Sequence, residues 1–324
     1  MKKTIIFYFL FVIALSIRNA HADLIEGYKN YNNQNYQAAL KEFLTLANNG
    51  NAEAQNNLGI MYENGEGVIK NLNLAIEWYK KSAEQGNPFA QVNLGNIYFL
   101  GIGTTQNFNE AAFWYQQSAK SENQYAELNL GYMYNQGYGV KQDYDLAAYW
   151  FKKSADQKNP DAELSLGDMY YEGICQEKNY NKAFALYIQS AEQGNAKAQN
   201  SVGWMLEHGQ GVNSDLNEAF EWYEKSATQG NVFGQRNLGL IYKNKGSIHY
   251  NLVMAYTWLY IAAKNGNTNS YQDISEIEAI LPSEKLMNAK LLSFSWELGQ
   301  KINLPDNDST IINPKKSEQK ISYN

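Results

Sequence analysis

The chain of 324 residues has a single cysteine, Cys175, so no internal disulfide can form, whatever the redox state of its compartment. Histidine is nearly as scarce. His21 lies in an N-terminal segment with the pattern of a removed leader, which leaves His208 and His249, far apart and with no cysteine or paired carboxylate at ligand spacing. A metal site and His-based catalysis are therefore not expected. Arg18 and Arg236 are the only arginines, and the formal charge of −6 becomes −9 when Lys2, Lys3 and Arg18 are removed with the leader. Nucleic-acid binding, which needs clustered Lys and Arg to displace counterions, is not expected. The sequence contains no H-E-x-x-H, no G-x-x-x-x-G-K and no calcium-loop pattern, and no cofactor is expected. Gly101-Ile102-Gly103 resembles part of a dinucleotide loop, but it follows a helical pattern where that loop needs a strand.

What is present begins with Lys2 and Lys3, an apolar run from Ile5 to Ile17 and then Asn19-Ala20-His21-Ala22. That is the n-region, h-region and A-x-A site of a secretory signal, so residues 1–22 are expected to be removed and the protein exported, either periplasmic or secreted. No later run has the length of a membrane span.

The remainder is periodic. Glycine recurs every 36 residues at Gly59, Gly95, Gly131, Gly167, Gly203 and Gly239, and alanine recurs sixteen positions later from Ala75 to Ala255. Leucine precedes the first four glycines, and tyrosine follows five of the six by three residues. These spacings mark two apolar helical faces per unit, hence a helix pair. A glycine inside a helix costs about 1 kcal/mol against alanine, so six of them require close contact, for which the alanine face of the neighbouring helix is the expected partner.

Asparagine stands at 51, 87, 123, 159, 195, 231 and 267, ahead of each first helix, as an N-cap column. Asn71, Asn107, Asp143, Asn179, Asp215 and Asn251 form a second such column. Pro88 and Pro160 occupy first helical positions, and paired loop glycines can supply the positive φ of a helix exit. Expected, then, are a 23–50 capping helix pair (Gly27, Tyr36, Ala39, Phe43, Ala47), six repeats over 51–267, and capping helices over 268–302. Those last two helices are placed at Tyr271–Leu281 and Ser283–Lys301, with Ser283 as N-cap. The polar run 303–324 is expected to be disordered.

The segment AQNNLGIMYENGEGVIKNLNLAIEWYKKSAEQGN resembles the Sel1-like repeat, a relative of the tetratricopeptide repeat, over roughly residues 51–267. The resemblance implies an all-α fold, a right-handed superhelical solenoid of stacked antiparallel helix pairs, used as a non-enzymatic adaptor. It also implies that the first helices line a concave side. Positions six and three before, and one and four after, the repeat glycine then give Phe89, Val92, Asn96, Phe99, Tyr125, Leu128, Tyr132, Tyr171 and Trp204, together with Leu164, Asp168 and Asn135. Aromatic side chains on a solvated face of an acidic protein suit a protein or peptide partner, and a monomeric scaffold is the leading expectation. The alternatives are packing of the same rings as core between repeats, and a cell-wall glycan or exopolysaccharide ligand. A β-lactamase-like hydrolase is a distant third. The cysteine pairs of the family branch that it would need are missing, and the one Ser-x-x-Lys pair, Ser317 to Lys320, lies in the tail.

Overall fold

The computed structural model describes residues 23–174 and 177–302. The leader, Cys175 and the tail with Ser317 and Lys320 lie outside the described residues. The described residues are helical throughout, without strands, and the helices follow one another as antiparallel pairs. They divide into two compact units at Gln157 and Lys158.

In the first unit, α1 (23–32) pairs with α2 (Tyr36–Asn48), α3 (Ala52–Asn64) with α4 (Leu72–Glu84), α5 (Pro88–Leu100) with α6 (Phe108–Ala119), and α7 (Gln124–Gln136) with α8 (Tyr144–Asp156). In the second, α9 (Pro160–Glu172) pairs with α10 (Tyr180–Glu192), α11 (Ala196–His208) with α12 (Leu216–Thr228), and α13 (Val232–Lys243) with α14 (Leu252–Lys264). Two further helices follow, α15 (Ser270–Glu278) and α16 (Ser283–Ser295).

Each helix starts where its cap puts it. Asn51, Asn87, Asn123, Asn159, Asn195 and Asn231 accept a backbone N–H of the following turn, and so do all six residues of the second column. Such a cap is worth about 1 kcal/mol. The seventh asparagine departs from the column. Asn267 accepts from the hydroxyl of Ser270, and α15 begins without a side-chain cap. Glycine precedes the asparagine at φ 85° to 106° in five units, while Glu122 (φ 54°) and Lys158 (φ 64°) hold the same left-handed backbone without that freedom.

Five of the six repeat glycines face a ring and the sixth a leucine, rather than alanine, which corrects the expected partner. A Cβ on Gly59, Gly95, Gly167 or Gly203 would lie 2.5, 2.5, 2.7 or 2.8 Å from the ring twenty residues on, namely Tyr79, Tyr115, Tyr187 or Tyr223. Gly131 meets Phe151 and Gly239 meets Leu259 in the same way. The alanine column sits one turn before that ring, fully buried, where a larger residue would displace it. Gly27 makes the equivalent contact with Phe43 at a spacing of sixteen, as its shorter interhelix loop requires.

The loop glycines have separate duties. The first of each pair, such as Gly65 or Gly101, closes the first helix in the left-handed conformation. The second lies against the start of the preceding unit's second helix. A Cβ on Gly67 would come within 2.9 Å of the Tyr36 backbone, and one on Gly211 within 2.9 Å of the Asn181 nitrogen. Gly139 abuts the Phe108 carbonyl, so main chain meets main chain.

The C-terminal end corrects a further expectation. Ser283 is the first residue of α16, whose N-cap position is Pro282, and the helix stops at Ser295 rather than Lys301. Residues 296–302 turn back along α12. Trp296 packs on Trp258, Gly299 N–H donates to the Thr228 carbonyl at 2.7 Å, and Lys301 pairs with Glu224. Gly299 at φ 86° permits that reversal. α15 and α16 cover α14, which is buried on nearly every side, from Met254 to Ala263.

Candidate functional site

Three polar columns tie the helices together, a serine and a tyrosine column within helix pairs and a glutamine column from a first helix to the second helix of the preceding pair. Ser82, Ser118, Ser154, Ser190 and Ser226 are fully buried, and each donates its hydroxyl to the carbonyl of the residue after the N-cap of the partner helix, at 2.6–2.8 Å. Buried Gln55, Gln91, Gln199 and Gln235 donate Nε2 to the alanine carbonyl eight residues earlier at 3.0–3.3 Å. A donor thirty residues later bonds back to that column, as Gln85 to Gln55 and Gln229 to Gln199, both at 2.7 Å.

The rings over the repeat glycines form the third column. The Tyr79 hydroxyl donates to Glu63, Tyr115 to Asn96, Tyr187 to Asp168 and Tyr223 to Glu207, at 2.7–2.8 Å. Burial first, and the adjoining carboxylate second, push the phenols of Tyr79, Tyr187 and Tyr223 far above their usual range; burial does so for Tyr115. They are neutral donors at physiological pH and pin the first-helix face from behind. Phe151 has no hydroxyl, and there the ring of Tyr132 packs edge-on against it at 5.1 Å.

Neighbouring first helices are also bonded side by side. Asn93 donates to Asn56 at 3.0 Å and Asn129 to Asn96 at 3.4 Å in the first unit, and Asn237 donates to Asn200 at 2.9 Å in the second. The sequence-predicted residues lie as follows. Val92 and Leu128 are buried packing residues rather than surface. Asn96 is half-buried and engaged by Tyr115. Phe99 lies against Phe108 and Tyr138 at 5.2 and 5.9 Å, while in the second unit Tyr171 and Trp204 meet at 5.9 Å. Tyr132 is 41% exposed. Phe89 and Tyr125 are open most fully, at 56% and 51% exposure, in the same repeat position of α5 and α7.

Phe233 of α13 occupies that position too, at 65% exposure. It stands six residues before Gly239, as Phe89 and Tyr125 stand before Gly95 and Gly131, a spacing legible in the sequence. Phe113 and Tyr149 are exposed as well. Each packs edge-on against the tryptophan that follows it, on a second helix rather than a first.

The arrangement offers hydrogen bonding and aromatic contact. His208 stacks on Trp204 at 4.1 Å and His249 on Phe220 at 3.8 Å. Among the described residues, no group of three or more His, Cys, Asp or Glu side chains is placed to hold a metal ion, and no helix is long and apolar enough to cross a membrane.

The profile of the Sel1 repeat family matches residues 52–87, 88–123, 124–159, 160–195, 196–231 and 232–267 in unbroken succession. Among solved structures, the chain is similar to c5321, described as a protective antigen present in uropathogenic Escherichia coli strains and displaying an SLR fold. Identity is 34% and the TM-score 0.71, over 87% of this chain and 61% of that one. It is similar at the same identity and TM-score to a Sel1 repeat protein from Oxalobacter formigenes, over 74% of this chain and 99% of that one. The chain thus spans about three-fifths of the first relative and nearly all of the second. No match is found among curated proteins.

Proposed function

This chain belongs to the Sel1 repeat family, and from that premise we propose that it is an exported, non-enzymatic scaffold that holds a protein or peptide partner against the open face of its first helices. Sel1 repeat proteins are typically protein-interaction scaffolds, and the family is generally non-catalytic. The observation that supports this reading most is the exposure of Phe89 and Tyr125 in the first unit, and separately of Phe233 at the same repeat position in the second. Three large rings stand exposed at one repeat position, while the rings over the repeat glycines are buried. Exposed aromatic side chains held on rigid helices lose little entropy on binding and give large contact area, the usual chemistry of a binding hot spot. The leader pattern of residues 1–22 supports export to the periplasm or beyond. The similarity to an antigen of uropathogenic Escherichia coli is consistent with an extracytoplasmic role.

A second reading, binding of cell-wall glycan or exopolysaccharide, rests on the same rings, which could stack on sugar planes beside Asn93 and Asn129. One experiment separates the two. Residues 23–324 are panned against a displayed peptide library and, in parallel, against a glycan array, beside a folded Phe89→Ser, Tyr125→Ser, Phe233→Ser variant. Enrichment of peptides that the variant does not retain supports the scaffold. Glycan binding lost in the variant moves the second reading ahead, and equal retention by both proteins removes these rings from either role.

A further inference from the structure

The buried amide column is interrupted in two places, at residues 127 and 163. Four repeats place glutamine there, at 55, 91, 199 and 235, and each glutamine donates an N–H to a helix carbonyl eight residues back. The third and fourth repeats place Glu127 and Glu163 at that position, with 1% and 3% of their surface exposed. A carboxylate has no proton to donate, so in the ionised form it would turn lone pairs toward the place where the other repeats put a donor. The carbonyl at the equivalent of the glutamine's partner in the third repeat is that of Ala119.

The surroundings do little to support a charge. For Glu127, Oε2 accepts from Gln157 Nε2 at 2.7 Å, but Oε1 is buried without a hydrogen-bond partner. From α8 it is faced by Lys153, whose Nζ is 3.9 Å away and more than a third exposed, and by the acid Asp156. From the turn before α7 it is faced by Glu122. Glu163 accepts from Gln193 Nε2 at 2.6 Å, and Lys158 is the charged group near it. Burial raises both carboxyls above the usual glutamic acid range, outweighing the lysines and the amide donors.

We propose that Glu127 is a proton-binding joint, a carboxylic acid that completes the amide column of its repeat only when protonated, and that buried Glu163 takes up a proton in the same way, so that these repeats tighten as the medium acidifies. The sign follows from linkage. The folded state holds these protons more firmly than the unfolded chain does. Their stabilisation is full below the unfolded glutamic acid pKa and is lost as pH rises through the raised folded value. Glutamine carries the donor permanently, so a Glu→Gln variant keeps the bond at every pH.

The test is thermal denaturation of the parent, Glu127→Gln, Glu163→Gln and the double variant from pH 4 to pH 8. Infrared difference spectra of the parent over the same range accompany it. The expected result is a double variant that melts several degrees above the parent at pH 8, with the gap closing toward pH 4. A protonated-carboxyl carbonyl band should persist in the parent above the range of exposed acids and be missing from the double variant. A pH-independent gap, or a variant less stable than the parent at pH 8, would overturn the proposal. If a variant fails to fold, the parent decides: carboxyl signal that vanishes together with that of exposed acids also overturns it.

Discussion

Placing one methyl group on Gly131 should weaken the third repeat even though alanine is the better helix former. Propensity alone favours alanine by about 1 kcal/mol. Against it, the new Cβ would sit 2.5 Å from Cε1 and 2.9 Å from Cγ of Phe151, whereas carbon atoms rest about 3.5–4.0 Å apart. The ring would have to retreat by about 1 Å, and it is held on one side by Tyr132 and buried on the others. Overpacking of this kind costs about 1–3 kcal/mol, and a ring with so little room belongs in the upper part of that range. The net expectation is a loss of about 1–2 kcal/mol. Phe151→Ala costs about 3–5 kcal/mol by itself, and once the ring is gone Gly131→Ala should turn stabilising by about 1 kcal/mol. The two changes are then coupled by about 2–3 kcal/mol, large for any pair and readable as a change of sign. Urea denaturation of the four proteins, followed by far-ultraviolet circular dichroism, measures it. If Gly131→Ala has the same sign and size in both backgrounds, the ring is not what demands the glycine.

Three further substitutions test other columns. Ser121 stands where other repeats place the long amide that bonds back to the buried column, and Gln91 Oε1 is left without a partner; Ser121→Gln should therefore stabilise by about 1 kcal/mol in the same denaturation assay. Glu122 holds a left-handed φ of 54° that other repeats assign to glycine, so Glu122→Gly should be neutral or stabilising by up to about 1 kcal/mol, whereas glycine at most other surface sites would destabilise. Gly139→Ala combines a φ of 64° with a Cβ 2.8 Å from the Asn109 nitrogen; a loss of at least about 2 kcal/mol is expected, with amide exchange quickened at the start of α6.

Much of this architecture is legible in the primary structure because caps and small residues act locally. An asparagine seven times at a 36-residue interval announces a helix start from backbone hydrogen-bonding needs alone. The column failed only at Asn267, where the helix pair that would have followed is replaced by the covering helix α15. Contacts between elements were harder to read. The partner of Gly131 could have been Ala147 or Phe151, both on one face one turn apart, and only packing decides between them. The serine column was equally periodic, yet a serine beside an alanine gives no sign of whether its hydroxyl meets water or a buried carbonyl. Positions 92, 96 and 99 do share a helical face. How much of that face stays open depends on the Asn93–Asn56 and Asn129–Asn96 approach of neighbouring helices, a distance that spacing along one helix does not contain.

The second loop glycine fixes how successive repeats join. At Gly67, Gly139 and Gly211 one repeat touches the last through main-chain atoms, with Leu72 Cβ the nearest atom only at Gly103. At these glycines the contact is nearly blind to side-chain identity, whereas the buried glutamines and the Asn93–Asn56 and Asn129–Asn96 bonds join repeats through side chains. Removing or duplicating a whole 36-residue unit keeps the spacing of glycine, cap and ring, while removing 35 or 37 residues misaligns all three at once. Face residues such as Phe89 and Tyr125 take no part in the joints between repeats, so their chemistry can be rewritten from repeat to repeat without disturbing how the repeats dock.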